Sequence, residues 1–258
     1  MEKALRAILG LSAIGASVLS FGQTVVSGNY SESFDGLASS GTTNTWVQGT
    51  SVAEWWAYRF PANPGAWTDV TVYIANNGST ANGSLYSFGP TSSTDRALGS
   101  IGSGNDASGA YRYGTGFTNG FSQSINEINM SFRAETWRVG STGLNHNVEF
   151  QYSLGATSVN DNSATWIDFD DLDFTQSTNT TSGVTDGNAN FLLKASSLTG
   201  LSIDPGDTIW IRWTDIDHGG ADHGLAIDDF SATFSTVPEP ASLAILGLGL
   251  LAIRRRKK

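Results

Sequence analysis

The chain has 258 residues, of which 39% are hydrophobic and only 15% are charged, and its formal net charge is −10. This length accommodates one large all-β domain, and the 30 glycines and few charged residues favour short strands and tight turns over helices. The absence of cysteine excludes disulfide bonds, thiolate metal sites and a cysteine nucleophile.

Residues 1–22 have the pattern of a secretory signal peptide. Lys3 and Arg6 precede an apolar stretch from Ala7 to Leu19, and small residues follow as far as Gly22. This order predicts export, with cleavage after Gly22. A short buried helix is the alternative, but a polar chain rich in Ser, Thr and Gly follows at once.

Residues 23–236 are predicted to form a single all-β domain. Apolar and polar side chains alternate in "EINMSFRAETW" (127–137) and "NVEFQYSL" (147–154), which is the pattern of half-buried strands. Turn-forming clusters such as "ANNGSTANGS" separate the candidate strands. Further strands are predicted over Glu54–Phe60, Asp69–Ile74, Leu85–Phe88, Ala110–Gly114, Thr165–Phe169, Phe191–Ala195, Thr208–Thr214 and Leu225–Phe234. So many short strands predict an antiparallel two-sheet sandwich with jelly-roll-like topology.

The C-terminal segment 237–258 differs in composition from the rest of the chain. Pro238, Glu239 and Pro240 precede an apolar run from Ala241 to Ile253, and five basic residues end the chain. The run predicts a single hydrophobic helix, although a helix that crosses a membrane needs about 20 residues. The basic cluster would keep the end of the tail on the cytoplasmic side.

This tail resembles the PEP-CTERM sorting signal of Gram-negative bacteria. In that family the tail is a transient membrane anchor, which a membrane transpeptidase called exosortase removes. The resemblance implies processing at Pro238, Glu239 and Pro240 and export across the inner membrane. It also implies a location on the cell surface or in the extracellular matrix of an organism that makes extracellular polysaccharide.

Removal of both ends makes the protein more acidic. Seven of the 14 basic residues and two of the 24 acidic residues lie in the end segments, so the central domain keeps 7 basic and 22 acidic residues. Its net charge is therefore near −15. Such a surface repels nucleic-acid phosphates and anionic lipids, so we expect the membrane contact to be limited to the transient anchor.

The stretch "WTDIDHGGADHGLAIDDF", residues 213–230, contains five of the 24 acidic residues and two of the three histidines. Counting back by two from Phe230 predicts that Asp228 faces the core and that Asp229 faces outward. An inward carboxylate is costly unless it is paired, hydrogen-bonded or bound to a cation. Calcium suits the position because it accepts six to eight oxygen ligands. A hydrogen-bonded structural carboxylate is the alternative.

The closing segment "AIDDFSATF", together with "SESFDGL" and Trp46 near the predicted mature start, resembles jelly-roll modules of the MAM and carbohydrate-binding types. Those families often hold a structural calcium ion between the first and last strands, which implies Asp35 and Asp228 as ligands here. The chain departs from MAM modules in having no cysteine. Residues 33–234, with "SFDGLASSGTTNTW" and "ETWRVG", also resemble an uncharacterised domain of exported bacterial proteins that has no established activity.

No catalytic residue is predicted. His218 and His223 are candidate zinc ligands with Asp215 or Asp222, but their spacing matches no zinc pattern. A Ser-His-Asp triad lacks the G-x-S-x-G motif that would support it. The acidic stretch 168–173 contains carboxylates of the kind that a glycosidase uses, but it is more typical of a solvated edge or a turn.

The chain contains eight tryptophans, and two pairs of them must face opposite ways on their strands. Trp55 is next to Trp56, and the alternation in "TIWIRWT" separates Trp210 from Trp213. An exposed ring beside carboxylates and amides is a typical surface for stacking sugars, and Trp56 and Trp210 are the candidates. The alternative is that both sheet faces are covered and that these rings are buried.

These patterns predict a non-catalytic protein of the cell surface or extracellular matrix that binds polysaccharide and is stabilised by calcium. A secreted hydrolase acting on glycans is the alternative function.

Overall fold

A computed structural model of the chain describes residues 23–105 and 107–236, which form a sandwich of two β-sheets. The predicted signal peptide, 1–22, and the predicted sorting segment, 237–258, lie outside the described residues, and their structures stay predictions. In the part that is described, no helix has the length and apolar character that crossing a membrane requires.

Seventeen strands and one 3-10 helix make up the regular structure of the described residues. They are β1 (Thr24–Val26), β2 (Tyr30–Glu32), β3 (Gly41–Thr45), β4 (Trp55–Phe60), β5 (Thr68–Asp69), β6 (Val72–Asn76), β7 (Ser84–Phe88), β8 (Ala97–Ile101), β9 (Ala110–Asn119), β10 (Ile125–Val139), β11 (Asn147–Ser153), β12 (Ile167–Asp168), the 3-10 helix (Asp170–Leu172), β13 (Phe174–Thr175), β14 (Gly183–Val184), β15 (Phe191–Ile203), β16 (Thr208–Asp215) and β17 (Gly224–Thr236).

Two sheets face each other, and the chain passes repeatedly between them. Sheet A has the order β12-β11-β16-β9-β4-β5, with β1 beside β9 and β13 beside β11. Sheet B has the order β14-β10-β17-β8-β7-β6-β3, with β15 beside β10 and β2 beside β17. From β8 to β11 the chain alternates between the sheets, and it crosses again after β13, β15 and β16, which confirms the predicted jelly-roll-like sandwich. The pairs β1/β9 and β6/β7 are parallel, and the other pairings are antiparallel.

Aromatic side chains fill the space between the sheets. The rings of Trp55 and Trp213 stack with their centroids 5.8 Å apart, and Phe230 from sheet B meets Trp213 edge-on at 5.5 Å. Phe132 and Phe150 pack on the same indole from the two sheets. The alternation predicted in β10 and β11 is what brings these rings to the inner faces, because successive side chains of a strand point to opposite sides.

A β-bulge in β17 changes the direction in which Asp228 points. The pairing with β10 shifts register between Ser231 and Asp228. As a result, Asp229 and Phe230 of β17 together lie opposite a single residue of β10, Phe132. Asp229 has a φ of 49° there. Because the extra residue reverses the alternation of side chains, Asp228 shares the outer face of sheet B with Arg133, which lies opposite it. The prediction that Asp228 faces the core is therefore wrong, although its side chain is buried at 3% exposure.

Candidate functional site

The outer face of sheet A buries the two tryptophans that were predicted to stack sugars. Trp56 is 3% exposed and Trp210 is 1% exposed, and their rings pack against each other with centroids 5.3 Å apart. Ala156 and Val159, from the loop between β11 and β12, join the same apolar cluster. The prediction that these rings are exposed is wrong, because this loop covers the sheet face and leaves no room for a sugar on either ring.

Two other tryptophans reach the surface of this face. Trp67 and Trp166 are half-buried, and each ring lies over an arginine side chain. The guanidinium carbon of Arg112 is 3.9 Å from the ring centroid of Trp67, and that of Arg212 is 3.6 Å from the ring centroid of Trp166. We call Trp67, Arg112, Arg212 and Trp166 the arginine–tryptophan row.

The arginine–tryptophan row extends across sheet A from one edge to the other. Trp67 immediately precedes the edge strand β5, and Trp166 immediately precedes the edge strand β12. Arg112 and Arg212 lie on the adjacent central strands β9 and β16. Sequence reasoning missed both tryptophans. Trp67 lies outside every predicted strand, and Trp166 lies in the predicted strand Thr165–Phe169 but has no neighbouring tryptophan whose opposite orientation would have singled it out.

Neutral groups surround the two arginines of the row. Arg112 donates to the side-chain oxygens of Asn160 at 3.3 Å and Asn162 at 3.2 Å. Arg212 donates from Nε to Gln151 Oε1 at 2.8 Å and from a terminal nitrogen to the Val159 carbonyl at 3.2 Å. The row therefore presents aromatic rings, amides and guanidinium groups together.

Burial affects both guanidinium groups. It lowers the pKa of Arg112 to about 10, and burial together with the charge of Arg112 lowers the pKa of Arg212 to about 9. Both side chains stay charged at neutral pH.

The outer face of sheet B contains a pair of buried carboxylates, Asp228 and Glu135. Asp228 Oδ1 accepts a hydrogen bond from the backbone N–H of Asp229 at 2.7 Å. Glu135 is 1% exposed, and its oxygens accept hydrogen bonds from Arg133 Nε at 3.2 Å and Trp137 Nε1 at 2.8 Å. Burial, and next the charge of Glu135, raises the pKa of Asp228 to about 8. Burial also raises the pKa of Glu135.

Asp35 lies at the junction of β2, β8 and β17, but its hydrogen-bond partners differ from those of Asp228. Strands β2 and β8 both run along the side of β17 that is away from β10, and Asp228 and Asp229 fall between their pairings. Asp35 follows β2, and its Oδ1 accepts the backbone N–H of Arg96, just before β8, at 3.0 Å. Its Oδ2 accepts the Ser33 hydroxyl at 3.1 Å. Asp35 is exposed, whereas Asp228 is buried.

The three histidines of the chain stack on one another at one end of the sandwich. The ring of His146 lies between the rings of His223, at a centroid distance of 4.0 Å, and His218, at 4.6 Å. Asp222 Oδ1 lies 3.5 Å from His146 Nδ1 and 3.7 Å from His218 Nδ1. Sequence reasoning named His218 and His223 but missed His146, which arrives from the distant loop between β10 and β11.

The geometry of the stack does not suit one shared metal ion. The ligand atoms of His146, His218 and Asp222 lie within 4.8 Å of one another, but the stacked rings are only 7° and 17° from parallel. The lone pair of a ring nitrogen lies in the ring plane, so lone pairs of parallel, separated rings do not converge on one point. Burial, and then the neighbouring His223 and His218, lowers the pKa of His146 to about 4.

Backbone amides already occupy one nitrogen of each ring. His146 Nδ1 accepts the N–H of His223 at 3.1 Å, His218 Nε2 accepts that of Asn147 at 3.1 Å, and His223 Nδ1 accepts that of Gly140 at 2.9 Å. A backbone N–H only donates, so each accepting nitrogen is unprotonated and each ring is neutral. The stack therefore joins the loops before β11 and before β17.

Three acids that the sequence offered as zinc ligands or glycosidase carboxylates accept structural hydrogen bonds. Asp215 is 2% exposed and accepts the Ser100 hydroxyl at 2.6 Å, and burial raises its pKa to about 7. In the stretch 168–173, Asp168 accepts Gln151 Nε2 at 2.6 Å and Asp173 accepts the N–H of Phe150 at 2.6 Å. These contacts hold loops and strands together.

The C-terminal segment matches a known sorting motif. Residues 236–258 match the family model described as the PEP-CTERM protein-sorting motif, which confirms the resemblance seen in the sequence. The motif implies export to the cell envelope or surface of a bacterium and processing by exosortase. No curated protein matches the chain.

The chain is similar to several solved structures at low identity. The structure described as TmCBM61 in complex with β-1,4-galactotriose has 9% identity and a TM-score of 0.28, over 56% of this chain and 74% of that one. The CBM22-1 xylan-binding domain from Paenibacillus barcinonensis Xyn10C has 8% identity and a TM-score of 0.34, over 84% of this chain and 100% of that one. An isomalto-dextranase from Arthrobacter globiformis T6 has 8% identity and a TM-score of 0.33, over 81% of this chain and 33% of that one. These similarities are too distant to assign a ligand or an activity.

Proposed function

We propose that this protein is a non-catalytic module of the cell surface or extracellular matrix of a Gram-negative bacterium, and that it binds polysaccharide. The sorting motif supports the export of the chain and its transient attachment to the membrane. The predicted signal peptide, residues 1–22, agrees with the same route.

The observation that carries polysaccharide binding is the arginine–tryptophan row. Its two tryptophans are partly exposed, and an arginine supports each ring from below. Sugars stack their apolar C–H faces on such rings and form hydrogen bonds with amides around them. Asn160, Asn162 and Gln151 supply amides at this place.

A calcium ion at the junction of β2, β8 and β17 is part of the proposal, with Asp228 and Asp35 as ligands. Glu135 lies on β10, on the other side of β17, and among the neighbouring carboxylates its charge has the largest effect on Asp228. Calcium binds carboxylate oxygens readily. Arg133 pairs with Glu135, and among the described ion pairs no cation pairs with Asp228. A calcium ion would therefore reduce the repulsion between these two buried carboxylates.

The non-catalytic part of the proposal is supported by the state of the candidate catalytic groups. An accepting nitrogen of each histidine is already used by a backbone amide, so no histidine is free to act as a general base. The buried Asp215 is not accessible to a substrate. We therefore favour binding over the alternative of a secreted hydrolase acting on glycans.

A glycan array probed with the purified full chain, followed by an assay for sugar release on every bound glycan, tests the proposal. We expect binding without release. Binding should be lost in Trp67→Ala and Trp166→Ala, and it should be kept in Val25→Ala, which changes an exposed apolar residue on β1. Release of sugar would establish the hydrolase, and the absence of binding to any glycan would refute the proposal.

A further inference from the structure

The two arginines of the arginine–tryptophan row lie side by side without an acidic partner. Arg112 is 7% exposed and Arg212 is 5% exposed. In residues 23–105 and 107–236, neither guanidinium is within ion-pair distance of a carboxylate. Arg112 is also one of the groups whose charge acts on Arg212, so the two positive charges repel each other.

This arrangement is unusual, because buried charges in proteins are normally paired. Asp168 and Asp161 act on Arg212 only at a distance. Asp168 is bound to the amide of Gln151, and Asp161 accepts hydrogen bonds from Ser163 and Thr157. Both carboxylates keep their charge, but neither lies within ion-pair distance of a guanidinium, so Arg112 and Arg212 have no direct ion-pair partner among the described residues.

We propose that the row recognises an anionic group on the bound glycan, and that this group is the missing partner of Arg112 and Arg212. The inference rests on the proposed function and deepens it by naming the class of ligand, an acidic polysaccharide. Guanidinium groups suit this role because their planar N–H donors match the oxygens of a carboxylate or a sulfate. Trp67 and Trp166 would hold the sugar rings on either side of the anion.

The net negative charge of the domain opposes the binding of a polyanion, so the attraction must come from the two arginines at short range. The central domain has 7 basic and 22 acidic residues, which repel a polyanion at long range. At an ionic strength of about 0.15 M the Debye length is about 8 Å, so distant repulsion is screened, whereas a buried pair of arginines is screened much less. Affinities are therefore to be compared at that salt concentration.

The experiment compares ligands that differ only in charge, with the purified full chain and isothermal titration calorimetry. Oligogalacturonate is compared with its methyl ester, which removes the carboxylate charge, and dextran sulfate is compared with dextran. The two pairs distinguish a carboxylate from a sulfate as the anion. We expect the charged form of one pair to bind at least tenfold more tightly, which corresponds to about 1.4 kcal/mol.

Substitutions of single arginines test whether the arginine–tryptophan row causes the preference for the charged ligand. Arg212→Gln removes one charge and should bring the ratio of affinities for the charged and uncharged forms close to one, and Arg212→Lys should lower it because the planar donor pair is lost. Arg138→Gln, on sheet B, also removes one positive charge and should leave the ratio unchanged. The melting temperature of each variant shows whether it is folded.

Equal affinity of wild type for charged and uncharged forms would overturn the inference while leaving polysaccharide binding intact. A preference that persists in a folded Arg212→Gln would also overturn it. If wild type binds none of the four ligands and no glycan on the array, the proposed function fails as well.

Discussion

Substitution of Asp228 by asparagine tests the buried carboxylate pair on sheet B. The pKa of Asp228 is about 8 in the folded chain, against an ordinary value of 3.8. The folded state therefore retains a proton that the unfolded state releases. The stability that this proton confers is complete below pH 4, and it is lost as the pH rises toward 8.

The size of the effect follows from this difference. Stability falls by about 1.4 kcal/mol for each pH unit between pH 3.8 and pH 8, so about 4 kcal/mol is lost by pH 7. Asp228→Asn keeps the shape of the side chain and removes the charge. In the absence of calcium, we expect the variant at pH 7 to be about 2 to 4 kcal/mol more stable than wild type, since the amide also needs a hydrogen-bond partner.

Calcium reduces this difference in stability if it binds at this site. At a concentration about 100 times its dissociation constant, calcium should stabilise wild type by roughly 2.7 kcal/mol and leave Asp228→Asn unaffected. For a domain of about 200 residues this raises the melting temperature by several degrees. Thermal unfolding at pH 5, 7 and 8, with calcium and with chelator, measures both effects, and the exposed neighbour Asp229→Asn is the control.

Two results would contradict this account of Asp228. If the melting temperature of wild type is the same from pH 5 to pH 8 and does not respond to calcium or chelator, Asp228 holds neither a proton nor a cation. A response to calcium that persists in Asp228→Asn would move the ion to another site.

Three further predictions concern other parts of the chain. Trp166→Ala should weaken binding to any glycan found on the array at least tenfold by titration calorimetry, and an unchanged affinity would remove this ring from the site. The pKa of His146 is about 4 in the folded chain, against an ordinary value of 6.5, so the unfolded state binds a proton first as the pH falls. Wild type should therefore lose about 3 kcal/mol of stability between pH 6.5 and pH 4, and His146→Phe should not show this loss. Urea unfolding at the two pH values measures this, and an equal loss in both proteins would contradict it. Mass spectrometry of exported protein should find a start near Gln23 and no Arg254–Lys258 tail, whereas a retained tail would contradict processing.

Several features of the protein could be predicted from local sequence pattern. The alternation in β10 and β11 predicted strands whose inner residues, such as Phe132 and Phe150, lie in the core. The Pro-Glu-Pro order and the basic end predicted a sorting motif, which the family match confirmed. These predictions succeeded because alternation and motif order depend only on residues that are close together in the chain.

The candidate sites depended on contacts that no local pattern contains. One extra residue in the bulge at Asp229 turned Asp228 to the outer face, since a shift of one position reverses every side chain beyond it. A loop from another part of the chain buried Trp56 and Trp210. Periodicity and motif order were enough to predict the sandwich and the sorting motif, because both are local properties of the chain. The exposure of each tryptophan and the pairing of each described charge could not be predicted in this way, because burial and pairing depend on segments that are distant in the chain.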